Sequence, residues 1–279
     1  METTHAIKYG INQNYLPPTK LWEKAQKLIP PWPEKPKGGR PPMPDEQAFN
    51  AIYYVMRTGI QWNALPRELG APSTVHDRFQ KWVREGIFTK LWQAGLMAYD
   101  NAKGIDWQWQ SLDAAITKAP LGSENTGANP TDRGKKGTKR HLLTEGNGMP
   151  LAVVVTGANR HDKKETKNVL DNIVIERPKS TQENKQHLCL DKGYDYPDIR
   201  ELVEEFGYLG HIKTRGEEMA DKARIPGYRT RRWVVERTHS WMNRYRRLLI
   251  RWEKKTDNYE AFIQLACASI TVRAAEVFG

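Results

Sequence analysis

Cysteine is nearly absent from this chain of 279 residues, which contains only Cys189 and Cys267. Both lie in apolar stretches, and their spacing fits neither a zinc motif nor a disulfide framework. We interpret them as buried thiols of a protein in a reducing cytoplasm. Long apolar runs are absent too, so no transmembrane helix is predicted. Residues 1–20 lack the apolar core of a secretory signal.

Acidic residues are in deficit, with 33 Asp and Glu against 44 Lys and Arg and a formal net charge of +11. The basic residues are concentrated: residues 227–255 contain ten of them and only two acids, and residues 133–140 form a second basic run in a glycine-rich loop. Lys and Arg that bind phosphates release counterions, so a localised positive charge favours a polyanionic partner. We predict a nucleic-acid surface; a basic protein without that role is the alternative.

Proline and glycine are concentrated in residues 30–44, a composition that suits a loop or linker. This segment suggests a division of the chain into three parts. Residues 1–44 form an N-terminal helix and the linker, residues 45–104 a small all-helical domain, and residues 105–279 an α/β domain.

The helical domain has the pattern of a helix-turn-helix motif. Asp45 begins one helix, which Gly59 ends, and Ser73 begins a later helix that runs to about Glu85. The outward side of the later helix is predicted to contact DNA. Its predicted contacts are Thr74, His76, Arg78 and Lys81. A plain helical bundle with a structural role is the alternative.

From residue 105 onward, β-rich runs alternate with helical segments. The predicted strands are 107–116, 140–144, 151–156, 187–191 and 208–212, and the predicted helices are 163–175, 197–206, 232–252 and 258–277. Asn147-Gly148 predicts a hairpin between the second and third strands. The order indicates an α/β (α+β) domain with a mixed five-stranded sheet and flanking helices. It resembles the order of the RNase H-like fold.

Two aspartates are candidate metal ligands. Asp113 lies on the first predicted strand and Asp191 at the end of the fourth. These strands are neighbours in that fold, so the two carboxylates are expected side by side, where a cation would offset the cost of their charge. An aspartate that merely caps a turn is the alternative for either one alone.

Glu236 is the third candidate acid. On a continuous helix over 232–252, its side is predicted to be polar and basic, and the opposite side apolar. The polar side carries Arg232, His239, Asn243 and Arg247. The apolar side carries Val234, Trp241, Tyr245, Leu248 and Trp252. A metal ligand flanked by phosphate contacts fits this pattern, and a surface ion pair with Arg232 is the alternative.

Several motifs resemble those of DDE transposases of bacterial insertion sequences, most closely the insertion-sequence-five family. Residues 231–255 resemble the C-terminal signature, Leu112-Asp113 the first acidic motif, and residues 190–195 the second. In the helical half, residues 57–66 include the element Gln-Trp-Asn-Ala-Leu-Pro. The resemblance extends over roughly residues 22–277.

The resemblance implies a transposase that binds the terminal inverted repeats of an insertion sequence, cleaves DNA and transfers a strand into target DNA. It implies that Asp113, Asp191 and Glu236 are catalytic and bind two Mg²⁺ or Mn²⁺ ions. It also implies a homodimer or larger synaptic assembly, located in the bacterial cytoplasm at the nucleoid. A non-catalytic DNA-binding regulator and an RNase H-like nuclease without strand transfer are the alternatives.

Further basic residues are expected to hold DNA phosphates. They are Lys135, Lys136, Lys139, Arg140, Arg232, Arg244 and Arg247. The wider family signature reads Tyr, Arg, Glu, Lys, which Tyr228, Arg232 and Glu236 approximate. Asn243 stands where Lys is expected, and Arg244 or Arg247 could take over that role.

Overall fold

The computed structural model describes residues 11–33, 38, 41–212, 215–224 and 231–278. Tyr228 of the family signature lies outside the described residues, as does part of the predicted N-terminal segment. Among the described residues, no helix combines the length and apolar character needed to cross a membrane.

The N-terminal half is helical, as predicted. Its helices are α1 (Thr19–Ala25), α2 (Asp45–Thr58), α3 (Pro72–Arg84) and α4 (Ile87–Lys103). Gly59, with a φ of 71°, ends α2 in the left-handed conformation that glycine favours. Two short 3₁₀ turns, Trp62–Ala64 and Arg67–Leu69, lie between α2 and α3. Ala71 rather than Ser73 occupies the position before α3.

The part of the second half that the structure describes contains one mixed sheet. Its strands are β1 (Trp109–Lys118), β2 (Gly127–Ala128), β3 (Lys136–Glu145), β4 (Pro150–Gly157), β5 (Gln186–Leu190) and β6 (Tyr208–Ile212). The order is β4-β3-β1-β5-β6, with the two-residue β2 beside β3. The β1–β3 and β3–β4 pairs are antiparallel, and the β1–β5 and β5–β6 pairs are parallel. Apart from β2, this is the predicted RNase H-like sheet.

Among the described residues, six helices accompany the sheet. They are α5 (Thr166–Asp171), α6 (Pro197–Glu205), α7 (Arg215–Arg224), α8 (Trp233–Met242), α9 (Arg246–Leu249) and α10 (Thr256–Phe278). No helix was predicted at the position of α7. The prediction of one continuous helix over 232–252 is wrong, because Tyr245 adopts an extended conformation between α8 and α9. After α9, Ile250 pairs with Lys118 at the end of β1.

Tertiary packing explains this break. The buried Tyr245 ring meets the Tyr53 ring of α2 edge-on, with centroids 6.3 Å apart. The break lets α9 pack against α2 instead of continuing along the axis of α8. The helical periodicity of α8 therefore does not show which way the side chains after residue 243 point.

The helical half and the sheet share one hydrophobic core, because α10 packs along α4. The helices approach closely at Gly95, where an added Cβ would lie 2.4 Å from Thr271 Oγ1. The Trp92 indole also donates a hydrogen bond to the Pro150 carbonyl of β4, at 3.1 Å. The predicted boundary at residues 104–105 thus marks a change of secondary structure within a continuous core.

Candidate active site

Neighbouring strands bring Asp113 and Asp191 to one edge of the sheet. In the parallel β1–β5 pair, Ser111 lies opposite Cys189. Two residues further along each strand are Asp113, still within β1, and Asp191, immediately after β5. One oxygen of Asp191 accepts a hydrogen bond from the Gly193 amide at 2.8 Å. Asp191 therefore caps a turn and also lies beside Asp113.

Asp113 is an unusual carboxyl group. Burial is the main cause that raises its pKa to about 6, and the negative charges of Asp191 and Glu236 raise it further. The Ala114 amide and the Arg232 guanidinium oppose the shift. The three candidate acids are therefore within electrostatic range of one another, although they come from different elements.

Glu236 lies on α8, and its side chain is 57% exposed, with one oxygen 4.0 Å from Arg232 Nε. Within the described ranges, no three His, Cys, Asp or Glu side chains are grouped closely enough to bind one metal ion. The acids thus share a patch without forming a complete ligand set. Because Glu236 is largely exposed, its side chain can rotate without disturbing the core.

Tyr194 is a further residue of this patch that the sequence analysis did not assign. Its side chain is buried, and burial raises the pKa of its hydroxyl well above the ordinary value. The negative charges of Asp162, Asp113 and Asp191 add to this shift. Its place three residues after Asp191, within the second acidic motif, was the available signal.

The inward side of α8 differs from the prediction. The helix packs on β1 and β3, so its buried side includes His239, which was predicted to contact DNA. Burial, followed by the Arg140 charge, lowers the pKa of His239 to about 3. The imidazole is therefore neutral and covered, and the predicted exposed position of His239 is wrong.

Several other predicted phosphate contacts are buried and held by protein groups. The guanidinium of Arg247 pairs with Glu253 at 2.7 Å. Arg140 donates a hydrogen bond to the side chain of Asn243 at 3.0 Å. Lys139 lies 2.8 Å from Asp162.

Lys139 and Arg140 lie within β3. Lys139 was predicted in the glycine-rich loop, whereas Arg140 was predicted both at the end of that loop and as the first residue of a strand. A buried cation without a partner is costly, and the pairing of Lys139 with Asp162 offsets that cost. Arg140 is packed inside the protein with the neutral Asn243 side chain as its hydrogen-bond partner, whereas its Nε and Nη1 atoms have none among the described residues. Arg140, Arg247 and Lys139 consequently lack the exposed position that the sequence analysis gave them.

The outward side of α3 also differs. Arg78 is buried, pairs with Asp45 and donates to the Met43 carbonyl at 3.0 Å. The Trp32 ring covers both Arg78 and Lys81, at 4.2 and 4.1 Å. The predicted exposure of Arg78 is therefore wrong.

Of the remaining predicted contacts on α3, Thr74 is exposed, whereas His76 is half-buried with its ring edge against Trp62, at a centroid distance of 5.1 Å. Elsewhere, Lys135, Lys136 and Arg244 are exposed, as predicted. These exposed groups remain candidate DNA contacts.

Two family models match the chain. One, described as "Putative transposase of IS4/5 family", covers residues 18–92. The other, described as "Transposase DDE domain", covers residues 109–271 and thus the whole sheet with most of α10.

Relatives from bacterial insertion sequences are similar to the chain. A "Putative transposase for insertion sequence element IS402" from Burkholderia cepacia is 36% identical over 167 residues, or 56% of this chain and 74% of that protein. A second protein, "Insertion element IS402 uncharacterized 16.2 kDa protein", is 30% identical over 115 residues, or 40% of this chain and 78% of its own length.

Solved structures of transposases are only distantly similar. The pre-cleavage Mos1 transpososome has a TM-score of 0.30 and 11% identity, covering 87% of this chain and 82% of that one. The Mos1 mariner paired end complex with Mn has a TM-score of 0.30 and 12% identity, over 88% and 83%. The fold assignment therefore rests on strand order and register. Because the DDE model alone spans more than half of the residues, this chain belongs to the DDE transposases of bacterial insertion sequences.

Proposed function

We propose that Asp113, Asp191 and Glu236 are the catalytic carboxylates of this transposase. The chain would bind the terminal inverted repeats of its insertion sequence, cleave a DNA strand and transfer the freed 3′-hydroxyl into target DNA, at the nucleoid in the bacterial cytoplasm. The observation that supports this most strongly is the raised pKa of Asp113. Apart from burial, its causes are the charges of the other two acids.

The side chains of the patch are suitable ligands for divalent cations. All three side chains are carboxylates, the oxygen ligands that Mg²⁺ and Mn²⁺ prefer. Their mutual repulsion, expressed in the pKa of Asp113, is what a bound cation would offset. Two such ions would neutralise charge at the phosphodiester and activate the attacking oxygen. Glu236 would complete the ligand set by rotating inward.

Other side chains of the chain would position DNA. Arg232 lies beside Glu236 and partly counters the negative charge of the patch. The exposed Lys135, Lys136 and Arg244 would contact phosphates outside the patch. Handling both transposon ends in one event calls for a homodimer or a larger synaptic assembly.

The test uses three single variants: Asp113→Asn, Asp191→Asn and Glu236→Gln. Purified protein is incubated with Mg²⁺ and the DNA that flanks its coding sequence, labelled at the 3′ end, together with a supercoiled target. We expect each variant to lose cleavage by at least about a hundred-fold, because transition-state charge is no longer neutralised. Binding to the labelled ends should persist.

Asp77→Asn on the exposed side of α3 is a matched control for the loss of one carboxylate. Calorimetric titration with Mn²⁺ adds a measurement independent of activity, and the three variants should bind more weakly. Wild-type cleavage by any one variant would exclude that residue. End binding without any cleavage by the wild type would identify a regulator, and cleavage without joining a nuclease.

A further inference from the structure

A basic cavity of about 420 Å³ lies where the C-terminal ends of α2, α4 and α10 meet the β3–β4 turn and the end of α8. This basic cavity is lined by four arginines, with Trp241 and Tyr245 on its walls. The arginines are Arg57, Arg237, Arg244 and Arg273. No acidic side chain of the described residues lines it. Apart from Arg244, none of these arginines was a predicted DNA contact.

Two of the four guanidinium groups are held in place. Arg57 lies over the Tyr245 ring at 5.1 Å and donates a hydrogen bond to the Arg244 carbonyl at 3.1 Å. Arg237 lies between the rings of Trp233 and Trp241, at 4.4 and 4.7 Å. It also donates to the Asn147 carbonyl at 2.6 Å. These contacts involve rings and neutral carbonyl groups, so the positive charge of both groups is not cancelled.

The other two guanidinium groups, those of Arg244 and Arg273, are exposed. Within the part of the chain that the structure describes, neither forms a salt bridge. The positive charge of Arg273 acts on Tyr245 in the cavity wall, where it opposes the rise in the pKa of the hydroxyl that burial causes. Glu145, an acid whose charge acts on Arg237, is buried behind the cavity. Its oxygens accept hydrogen bonds from the backbone amides of Asn147 and Met149 at 2.8 and 2.9 Å.

Four arginines that face one space without a lining acid repel one another, and an anion would relieve this repulsion. The planar, multi-donor guanidinium matches the oxygens of a phosphate group. A duplex supplies such phosphates at every nucleotide. Among macromolecular polyanions, DNA is favoured over an acidic protein segment because the chain is a transposase with a net charge of +11.

We propose that the basic cavity binds a backbone phosphate of DNA at a position separate from the carboxylate patch. The proposal rests on the proposed function in taking DNA as the substrate. Glu236 and Arg237 are consecutive in α8 and therefore point about 100° apart around its axis. DNA held at the carboxylates would pass around a little over a quarter of the circumference of α8 to reach the cavity.

The test is the salt dependence of DNA binding by the double variant Arg244→Gln/Arg273→Gln. Its probe is a fluorescent mixed-sequence duplex, titrated without divalent metal over a range of KCl concentrations. Each lost phosphate contact lowers the slope of log affinity against log salt by about 0.9. We expect the slope to become shallower by about 0.9, the value for one phosphate, and the affinity to fall at least about ten-fold at low salt.

The matched control is Lys27→Gln/Arg84→Gln, which removes two exposed positive charges outside the cavity lining. Its slope should stay within about 0.3 of the wild-type slope, well below the loss expected for one contact. An unchanged slope for the cavity variant, or an equal change in the control, would overturn the proposal. Failure of cleavage in the wild type would count against the proposed catalysis and leave this binding result standing.

Two further measurements separate other occupants. Calorimetry with inorganic pyrophosphate tests a small anion, and sedimentation tests an acidic segment of a second copy. Pyrophosphate binding that the cavity variant loses, with an unchanged DNA slope, would assign the cavity to a small phosphorylated ligand. Loss of self-association with an unchanged slope would assign it to a protein interface. Either result contradicts the proposal.

Discussion

Arg244 and Arg247 are three residues apart in one basic stretch, yet they occupy opposite environments. Arg247 is buried, pairs with Glu253 at 2.7 Å and donates a hydrogen bond to the Ile60 carbonyl at 2.9 Å. Arg244 is exposed at the basic cavity. The number of basic residues in a segment therefore does not measure how much positive charge is exposed to DNA.

Burial decides between the two roles. A buried guanidinium must be paired, because an isolated charge in a low-dielectric environment is very costly. Burial raises the pKa of Glu253, and the charge of Arg247 opposes that shift, so the guanidinium favours the ionised form of the carboxylate. An exposed arginine without an acidic partner has no such structural role and is available to an external anion.

Breaking the buried pair of Arg247 and Glu253 should lower the stability of the protein the most. Arg247→Met leaves the Glu253 carboxylate buried without its partner, so the free energy of unfolding should fall by about 3–5 kcal/mol. Urea denaturation followed by tryptophan fluorescence measures it. The double variant Arg247→Met/Glu253→Leu should regain most of the loss. Full stability of the single variant would contradict the structural role assigned to Arg247.

Asp113 is the opposite case to Arg247, because it is a largely buried carboxyl group beside other charges of the same sign. Its pKa is raised from 3.8 to about 6, so the folded protein prefers the protonated form. In metal-free buffer, its contribution to stability should be complete below about pH 4 and lost as pH rises through 6. A shift of about two units corresponds to about 3 kcal/mol.

Asp113→Asn should remove this dependence. The free energy of unfolding of the variant minus that of the wild type should therefore increase from pH 4 to pH 7, because only the wild type loses this contribution. The difference is the useful quantity, because Glu260, whose pKa is raised to about 7, also contributes to the pH dependence of the wild type. Parallel pH profiles of the two proteins would show that Asp113 titrates normally.

Trp32 offers an intermediate case. Its ring covers Arg78, a buried arginine that also pairs with Asp45. Trp32→Ala removes the cation–π contacts with Arg78 and Lys81 and the indole hydrogen bond to Asp45, but it keeps the ion pair. The free energy of unfolding should therefore fall by about 1–2 kcal/mol. Thermal unfolding measures it, and Trp32→Phe should retain about half of the contact. A loss as large as that expected for Arg247→Met would mean that the ring, rather than the carboxylate, holds Arg78.

Local patterns were sufficient for most of the sheet. Asn147-Gly148 predicted the β3–β4 hairpin, and the strand predicted over 208–212 is β6. The strand order, once recognised, predicted that β1 and β5 are neighbours, which brings Asp113 towards Asp191. These features depend on residues close in sequence or on a common topology.

The errors arose where distant partners decide the structure. Tyr245 leaves the helical conformation because it packs against Tyr53, nearly two hundred residues away. Lys139 is buried because Asp162 is available to pair with it. The basic cavity forms from the ends of separate helices, and arginines near helix ends are too common to signal a site.

Arg244 and Arg273 should contribute far less to stability than Arg247. Arg244→Gln/Arg273→Gln should change the free energy of unfolding by no more than about 0.5 kcal/mol, because both side chains are exposed and form no salt bridge among the described residues. Urea denaturation at high salt measures this change, because salt screens the repulsion between the arginines and leaves only their structural contribution. A loss of several kcal/mol would mean that these arginines support the fold as Arg247 does. A slight gain at low salt would instead reveal the repulsion that a bound phosphate is expected to relieve.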